Sequence, residues 1–423
     1  MPQIPQIAQI FCICVIRVIC GLTYLMLSLQ KMMTKIILHK GKEMPLLRQH
    51  PWVFSGAIKI TEGEAKDGDT VEVFSADKKF LGIGHYQAQN SITVRIISFE
   101  QVEINETFWL DKIKKAYSYR TYVGITNNPH TNVYRLFFGE ADGLPGLIVD
   151  YYNGHVVIQC HTVGMHRNVE HIAKAIKEVY GTQLKTIYDK SKETLPKNYA
   201  INITNGFMLG DAGNTIVTEN DFSFYVDWEK GQKTGFFIDQ RENRKLLAEY
   251  VKDKTVLNTF CYTGGFSVYA STAGAKEVYS VDVSKSAMEI TDKNIELNKL
   301  SNHQSFCADT FDFLKDKKDV YDVIILDPPA FAKSRDVKHN AVIGYKRLNE
   351  MALRLIKHNG ILFTFSCSGV VDKNLFFNTI NAAVYESGRR VKILHYLTQP
   401  ADHPISPNFS EGEYLKGLVL YVE

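Results

Sequence analysis

The rhythm of apolar and polar positions changes twice along the 423 residues. From Lys35 to about Ile104 the runs are short and alternating or continuously apolar: "KIILHKG", "TVEVFSA" and "SITVRIIS", punctuated by Gly41, Gly63, Gly68 and Gly82. Period-two alternation between turn signals predicts strands, and this density of strands predicts a small β-barrel. A helical stretch follows, "FWLDKIKKAYSYRTYV", then strands through "VYRLFFGEADGLPGLIVDYYNGHVVIQC" and a helix near His166–Tyr180, which together predict an α+β unit. From about Asp227 strands and amphipathic helices alternate to the end, with "KTVLNTFC", "AKEVYSVD", "YDVIILD", "GILFTFS" and "VKILHYL" as the strands. That alternation predicts an α/β unit with a doubly wound, Rossmann-like sheet. The expected organisation is an apolar extension over 1–32, a barrel over 33–105, a central α+β domain over 106–226 and the α/β domain over 227–423.

The extension does not match the rest of the chain. Residues 10–29, "IFCICVIRVICGLTYLMLSL", reach the length of a membrane span but enclose Arg17, and they lack the basic start and small-residue cleavage site of a signal peptide. Met32 and Met33 stand just before the first barrel strand, so a natural start there is expected, with a membrane anchor as the alternative. A net charge of +3 excludes nothing about partners, but charge is clustered locally. Residues 31–60 hold Lys31, Lys35, Lys40, Lys42, Arg48 and Lys59 against Glu43 alone; residues 331–358 hold Lys333, Arg335, Lys338, Lys346, Arg347, Arg354 and Lys357 against Asp336 and Glu350. Each cluster is either a solvated face or a surface that tracks phosphates. Seven scattered cysteines without a CxxC pair fit a reducing cytoplasm and argue against structural zinc; no metal is expected.

In a doubly wound sheet, ligands bind beyond the carboxyl ends of the strands. The first strand of the α/β domain runs into "NTFCYTGGFS", where Gly264 and Gly265 allow a sharp turn and close backbone approach before a helix; an ordinary tight turn would read the same. The second ends at Asp282, seventeen residues beyond Gly265, where an acid can accept from both ribose hydroxyls or simply cap a helix. "FCADTFDFL" places Asp309 where a carboxylate could accept from an adenine amino group. "VIILDPPAF" stops the central strand at Asp327, because Pro328 and Pro329 cannot continue a ladder. The rigid Asp-Pro-Pro edge suits a flat heterocycle held beside a bound cofactor; Phe331 could stack on it, and Lys333 begins the basic segment beyond.

"GQKTGFFIDQREN", "VLNTFCYTGGFSVYA", "VYSVDVSKSAMEI", "VIILDPPAFAKS", "LFTFSCSG" and "ADHP…EGEYLKG" resemble, in order and spacing, the RlmI-like family of class I S-adenosylmethionine-dependent rRNA methyltransferases. Its best-known member methylates C5 of a cytosine in large-subunit ribosomal RNA. "HPWVFSGAI" looks like the start of that family's PUA RNA-binding domain, and "GEADGLPGLIVDYY" like its central domain; the resemblance spans Met33 to the C-terminus. It implies that Phe237, Asp239 and Arg241 close one side of the cofactor site, and that Asn258, Tyr262, Gly264 and Gly265 hold the methionine part. Asp282 would bind the ribose, Asp309 the adenine, and Asp327 would face both the sulfonium and the incoming base. It also implies ribosomal RNA as partner, a cytoplasmic enzyme and, as in related enzymes, a homodimer. One position departs from many RNA cytosine-C5 methyltransferases: Ala330 stands after the two prolines where they carry a product-releasing cysteine.

Cys367 in "SCSG" then acquires a role. Cytosine C5 is too weak a nucleophile to take a methyl group directly, whereas a thiolate adding to C6 creates an enamine that can. A cysteine at a strand end beside Asp327 has the required placement, with Asp327 in its protonated form at N3. Cys261 lies inside the cofactor turn, where a small side chain serves packing. Three other readings stay open: methylation of an exocyclic base nitrogen, which needs no nucleophile; an RNA-binding or ribosome-assembly factor with a vestigial cofactor site; and a dinucleotide oxidoreductase, for which Asp-Pro-Pro and the cysteine would have no work.

Overall fold

The computed structural model describes residues 33–88, 90–315, 320–331 and 338–423. The extension over 1–32 and Lys333 lie outside these.

β1 (Thr34–Leu38), β2 (Trp52–Phe54), β3 (Ile58–Glu62), β4 (Thr70–Phe74), β5 (Phe80–Tyr86) and β6 (Ile92–Ser98) form one sheet in the order β2-β6-β5-β4-β1-β3. Alternation sets its inside: Val71 and Val73 of β4 are fully buried with Ile36, Leu38 and Val94. Lys40, Lys42, Arg48 and Lys59 stay exposed.

The central unit starts with α1 (Glu106–Tyr122), capped by Asn105, whose side chain accepts from the Phe108 N–H. β7 (Val133–Phe138), β8 (Leu147–Tyr152), β9 (His155–Cys160), α2 (Val169–Tyr180), β10 (Thr186–Asp189) and β11 (Gly206–Leu209) follow, the sheet running β11-β10-β9-β8-β7. Its two faces have different jobs. Val149, Val156, Ile158 and Cys160 pack on α1 and α2. Tyr152, Val157 and Tyr188, on the opposite face, share a core with residues of the last domain, including Phe236, Val268 and Ile295. The hairpin of β12 (Asn214–Glu219) and β13 (Phe222–Asp227) adds Val217, Phe224 and Val226 to that shared core, so the central unit and the α/β domain are joined by apolar burial.

The last domain contains α3 (Arg241–Leu247), β14 (Thr255–Thr259), α4 (Gly265–Thr272), β15 (Glu277–Asp282), α5 (Lys285–Leu297), β16 (His303–Cys307), α6 (Thr310–Leu314), β17 (Tyr321–Leu326), α7 (Lys338–Leu355), β18 (Ile356–Ser366), α8 (Lys373–Ser387), β19 (Val391–Leu397) and β20 (Lys416–Val422). The sheet order is β16-β15-β14-β17-β18-β20-β19. Strands up to β18 pair in parallel, and β20 runs antiparallel between β18 and β19. The order reverses between β14 and β17, which places the binding crevice at their carboxyl ends. All five strands expected for this domain are present. β16 and β20 are additions to them, and the insertion of β20 brings Lys416 opposite Ser366, next to Cys367.

Candidate active site

One cavity opens at that reversal, lined by Lys233, Phe237, Asp239, Gln240, Tyr262, Gly265, Asp282, Asp327, Pro328, Pro329 and Cys367 among others. Its floor is the turn after β14. Gly264 adopts φ +76°, and a Cβ there would come 2.6 Å from the Thr291 methyl, so only glycine lets the turn seat on α5. Residues of α5 secure that seat: the Thr291 hydroxyl donates to the Tyr262 carbonyl (2.9 Å) and the Asn294 amide to that of Thr263 (2.8 Å). Phe260 and Tyr262 also carry positive φ, of 52° and 49°, and backbone held this way concentrates at ligand sites. The Tyr262 hydroxyl accepts from the Gln232 N–H at 2.9 Å and donates to the Gly235 carbonyl at 3.1 Å, stitching the 232–235 loop over the turn.

Asp282 ends β15 with each oxygen used once: Oδ2 accepts from the Tyr262 N–H (3.0 Å) and Oδ1 from that of Ser284 (2.9 Å). Each oxygen keeps a second lone pair, and the residue lines the cavity. It therefore ties the turn to the start of α5 and still presents a carboxylate to a ligand.

Asp239 and Asp327 face the same space with opposite charge habits. Burial alone would raise Asp239, but Lys233, His403 and the donating Tyr414 hydroxyl (2.6 Å) outweigh it and hold the carboxyl below its usual range. Its Oδ1 is buried without a hydrogen-bond partner among the described residues. Burial and the neighbouring Asp239 charge push Asp327 up to about 7, against the Gln240 amide, which donates to its Oδ2 at 3.0 Å. The sign of that shift fixes its effect on stability. The unfolded carboxyl ionises near 3.8 while the folded one keeps its proton to about 7, so stability falls as pH rises through this window and the loss is complete above it. Asp327→Asn, which cannot ionise, is expected to be more stable than wild type by about 1–3 kcal/mol at pH 8 and nearly equal to it at pH 4. Urea unfolding at the two pH values reads the difference; an equal gap at both would mean the carboxyl is not shifted.

Cys367 follows the last residue of β18, half-buried, with its Sγ 3.9 Å from the Pro328 carbonyl. Burial pushes its thiol up, Lys233 pulls it down, and Asp327 and Asp239 push it up again, so the net shift is upward. The electropositive setting that a resting thiolate requires is therefore not built into the site. Lys416 is buried nearby; its Nζ donates to the Ser368 carbonyl at 2.6 Å, and burial lowers its pKa to about 8.

Several expected residues sit elsewhere. Arg241 does not wall the cavity; it is buried against Asp402 (2.7 Å) and the Val133 carbonyl (3.2 Å), tying the domain to the central sheet. Arg244, one turn further on the same helix, lines the cavity instead, with its Nη1 donating to the Phe237 carbonyl at 3.0 Å. Asn258 lies beneath the turn, its amide donating to the Ser267 hydroxyl at 2.8 Å. Asp309 caps α6 by accepting from the Asp312 N–H (3.1 Å) and is exposed outside the cavity wall. The Phe331 ring packs on Tyr345, 4.7 Å between centroids, rather than facing the cavity. Cys261 is buried with its Sγ 3.5 Å from the Met288 sulfur, and burial pushes its thiol well up. Lys233, Gln240, Arg244, Tyr414 and Lys416 join the site without being expected from the sequence, although Lys233 and Gln240 lie in "GQKTGFFIDQREN", Arg244 directly follows it, and Tyr414 and Lys416 lie in "EGEYLKG".

The fold and cavity are those of an S-adenosylmethionine-dependent methyltransferase: that family's model matches residues 135–420, and a PUA-like domain matches residues 36–99. Ribosomal RNA large subunit methyltransferase I of Aeromonas hydrophila is 39% identical over 398 residues, 92% of this chain and 99% of that protein. That of Pseudoalteromonas atlantica is 39% identical over 402 residues, 92% of this chain and 100% of its own length. The chain belongs to the ribosomal RNA large subunit methyltransferase I family. Among solved structures, a candidate SAM-dependent methyltransferase from Streptococcus mutans superposes with TM-score 0.78 at 25% identity, covering 92% of this chain and 99% of that one.

The residues present fit the cofactor, S-adenosylmethionine. The unpartnered Asp239 oxygen, on an ionised carboxylate, suits an ammonium group; the N-terminus of α4 at Gly265 suits a carboxylate; Asp282 suits vicinal hydroxyls. Asp282→Asn exchanges one acceptor for an amide that must face the Tyr262 or Ser284 N–H, a donor against a donor. Its S-adenosylmethionine affinity is expected to fall about 10- to 100-fold by calorimetric titration. Unchanged affinity would confine Asp282 to holding the turn.

Proposed function

We propose that this enzyme methylates C5 of a cytosine in large-subunit ribosomal RNA, in the cytoplasm, through a covalent bond between Cys367 and C6. The observation that carries the reading is the placement of a thiol and a proton-bearing carboxyl, Cys367 and Asp327, at the ends of adjacent parallel strands on one cavity wall. The relatives' name supplies the RNA class.

Bound S-adenosylmethionine supplies an electrophilic methyl group. Asp327, protonated to about 7, donates to the cytosine N3 and supports the charge that builds there. The Cys367 thiol gives up its proton to solvent as sulfur bonds to C6, and the C5–C6 electron pair is then available to the methyl carbon, whose bond to the sulfonium sulfur would break to leave a neutral thioether. Loss of the C5 proton to water returns the electron pair to the ring and expels the sulfur as thiolate. Pro328 and Pro329 fix the edge against which the ring lies. With Ala330 after the prolines, release uses no second cysteine at that position. The exposed Lys40, Lys42, Arg48 and Lys59 of the barrel supply phosphate contacts, so binding should weaken steeply with salt. The base reaches the thiol only when unstacked.

Nucleoside mass spectrometry of unmodified large-subunit rRNA incubated with labelled S-adenosylmethionine tests the reading. 5-Methylcytidine is the expected product; label on a base nitrogen would replace it with the exocyclic-amine reading.

A further inference from the structure

Beside the active-site cavity lies a second one of about 460 Å3. Gln232, Lys233, Phe236, Phe237 and Asp239 line both, so the two are separated only by a shared lip. The far wall of the second is the central sheet: Ile148 of β8 and, directly paired with it, Gln159 of β9, with His161 two residues on and therefore on the same face.

Polar groups on this face are mostly committed. Arg135 donates to Asp150 at 2.6 and 3.0 Å, and Thr234 to the same carboxylate at 2.6 Å. Lys190 is held by the carbonyls of Trp228 and Gly231, and Glu193 at the rim accepts from the Asn205 amide. Gln159 differs. It is only 6% exposed and lines the cavity, yet its amide has no hydrogen bond to any described residue. A side chain this buried, with its amide open to the cavity and unused by the protein, is placed to pair with whatever occupies that space.

The surroundings define the chemistry of that ligand. A side-chain amide offers two donors and an acceptor in one plane, which matches the edge of a nucleobase. On the lip stands the Phe237 ring with the Lys233 ammonium 4.6 Å from its centroid, an aromatic face and a cation at the boundary of the two cavities. We propose that the second cavity holds the base of the nucleotide next to the methylated one, with Gln159 reading its edge and Lys233 meeting the phosphate that joins the two. This rests on the RNA methyltransferase reading above and gives the central domain a role of its own. Its sheet forms the wall that reads sequence context, while the strand ends of the α/β domain do the chemistry.

The test uses the full-length enzyme and rRNA fragments spanning its mapped methylation site, varied to all four bases at each flanking position, with saturating S-adenosylmethionine. Wild type is expected to prefer one base at one flank by about tenfold or more. Gln159→Leu should lose about that factor on the preferred fragment alone, flattening the preference, with cofactor affinity and melting temperature as in wild type. Gln159→Glu, which keeps the volume and replaces the donors, should lose the same preference if the leucine variant folds poorly. A wild type that methylates all fragments equally, or a Gln159→Leu loss shared by all of them, overturns the subsite while leaving the methyltransferase reading intact. Absence of methylation on every fragment overturns both.

Discussion

Replacing Cys367 by alanine is expected to leave S-adenosylmethionine binding unchanged and to cut cytosine methylation by about 10⁴-fold or more. The expectation is that large because the nucleophile is not one contribution among several. Without sulfur at C6 no enamine forms, and C5 has no electron pair to offer the methyl group. The residues that fit the cofactor lie on other elements: Asp239 before α3, the turn after β14, and Asp282 at the end of β15. Calorimetry should therefore give the wild-type affinity for the variant, while single-turnover methylation of large-subunit rRNA falls to background. Cys367→Ser retains the volume but offers an oxygen far less ionised than a thiol, so it should be nearly as inactive. Full activity of Cys367→Ala would mean that the residue is a packed strand end and that methylation goes to a nitrogen.

Replacing Glu219 by alanine is expected to destabilise the protein by about 3–5 kcal/mol. Glu219 is fully buried and receives the Arg244 guanidinium in a fork, Nε and Nη2 each at 2.8 Å. The Tyr269 hydroxyl donates to the same carboxylate at 3.1 Å. Loss of the carboxylate leaves a guanidinium, itself 2% exposed, without a counter-charge where water cannot replace it. The damage should reach the active site, because Arg244 also holds the Phe237 carbonyl and lies over the Phe236 ring at 4.8 Å. Urea unfolding followed by the fluorescence of the buried Trp228 would measure the loss, and cofactor affinity should fall with it. Replacing the pair together, Glu219→Leu with Arg244→Met, removes both charges and should recover much of the stability. A single-variant loss below about 1 kcal/mol would mean that water reaches the guanidinium.

The legible parts of this protein are those in which local sequence acts on local backbone. Gly264 before a helix and Pro328-Pro329 after a strand impose the turns that position the cavity floor and edge, whatever surrounds them. The barrel and the alternating domain follow from period-two runs and helical spacing in the same way. Arg241 and Arg244 show the limit. They sit one turn apart on one short helix, both arginine and both buried, and only the packing of that helix decides which pairs with Asp402 and which reaches the cavity. Asp309 shows another limit: a carboxylate at a strand end that precedes a helix can serve as its cap, and here it does.

The sequence by itself determined the domain order, the doubly wound class of the last domain, the carboxylates Asp239, Asp282 and Asp327 on the cavity wall, and Cys367 beside them. Tertiary structure alone decided which other side chains complete the wall. Gln240 meets Asp327 across 87 residues and Tyr414 meets Asp239 across 175. Lys416 comes beside Cys367 because β20 inserts antiparallel against β18, and Gln159 lines the neighbouring cavity because one face of a separate sheet is turned toward it. The physical reason is the reach of each signal. Periodicity and turn chemistry act over a few residues and set elements, whereas the order of strands in a sheet and the face one domain turns to another are settled by burying apolar surface across the whole chain.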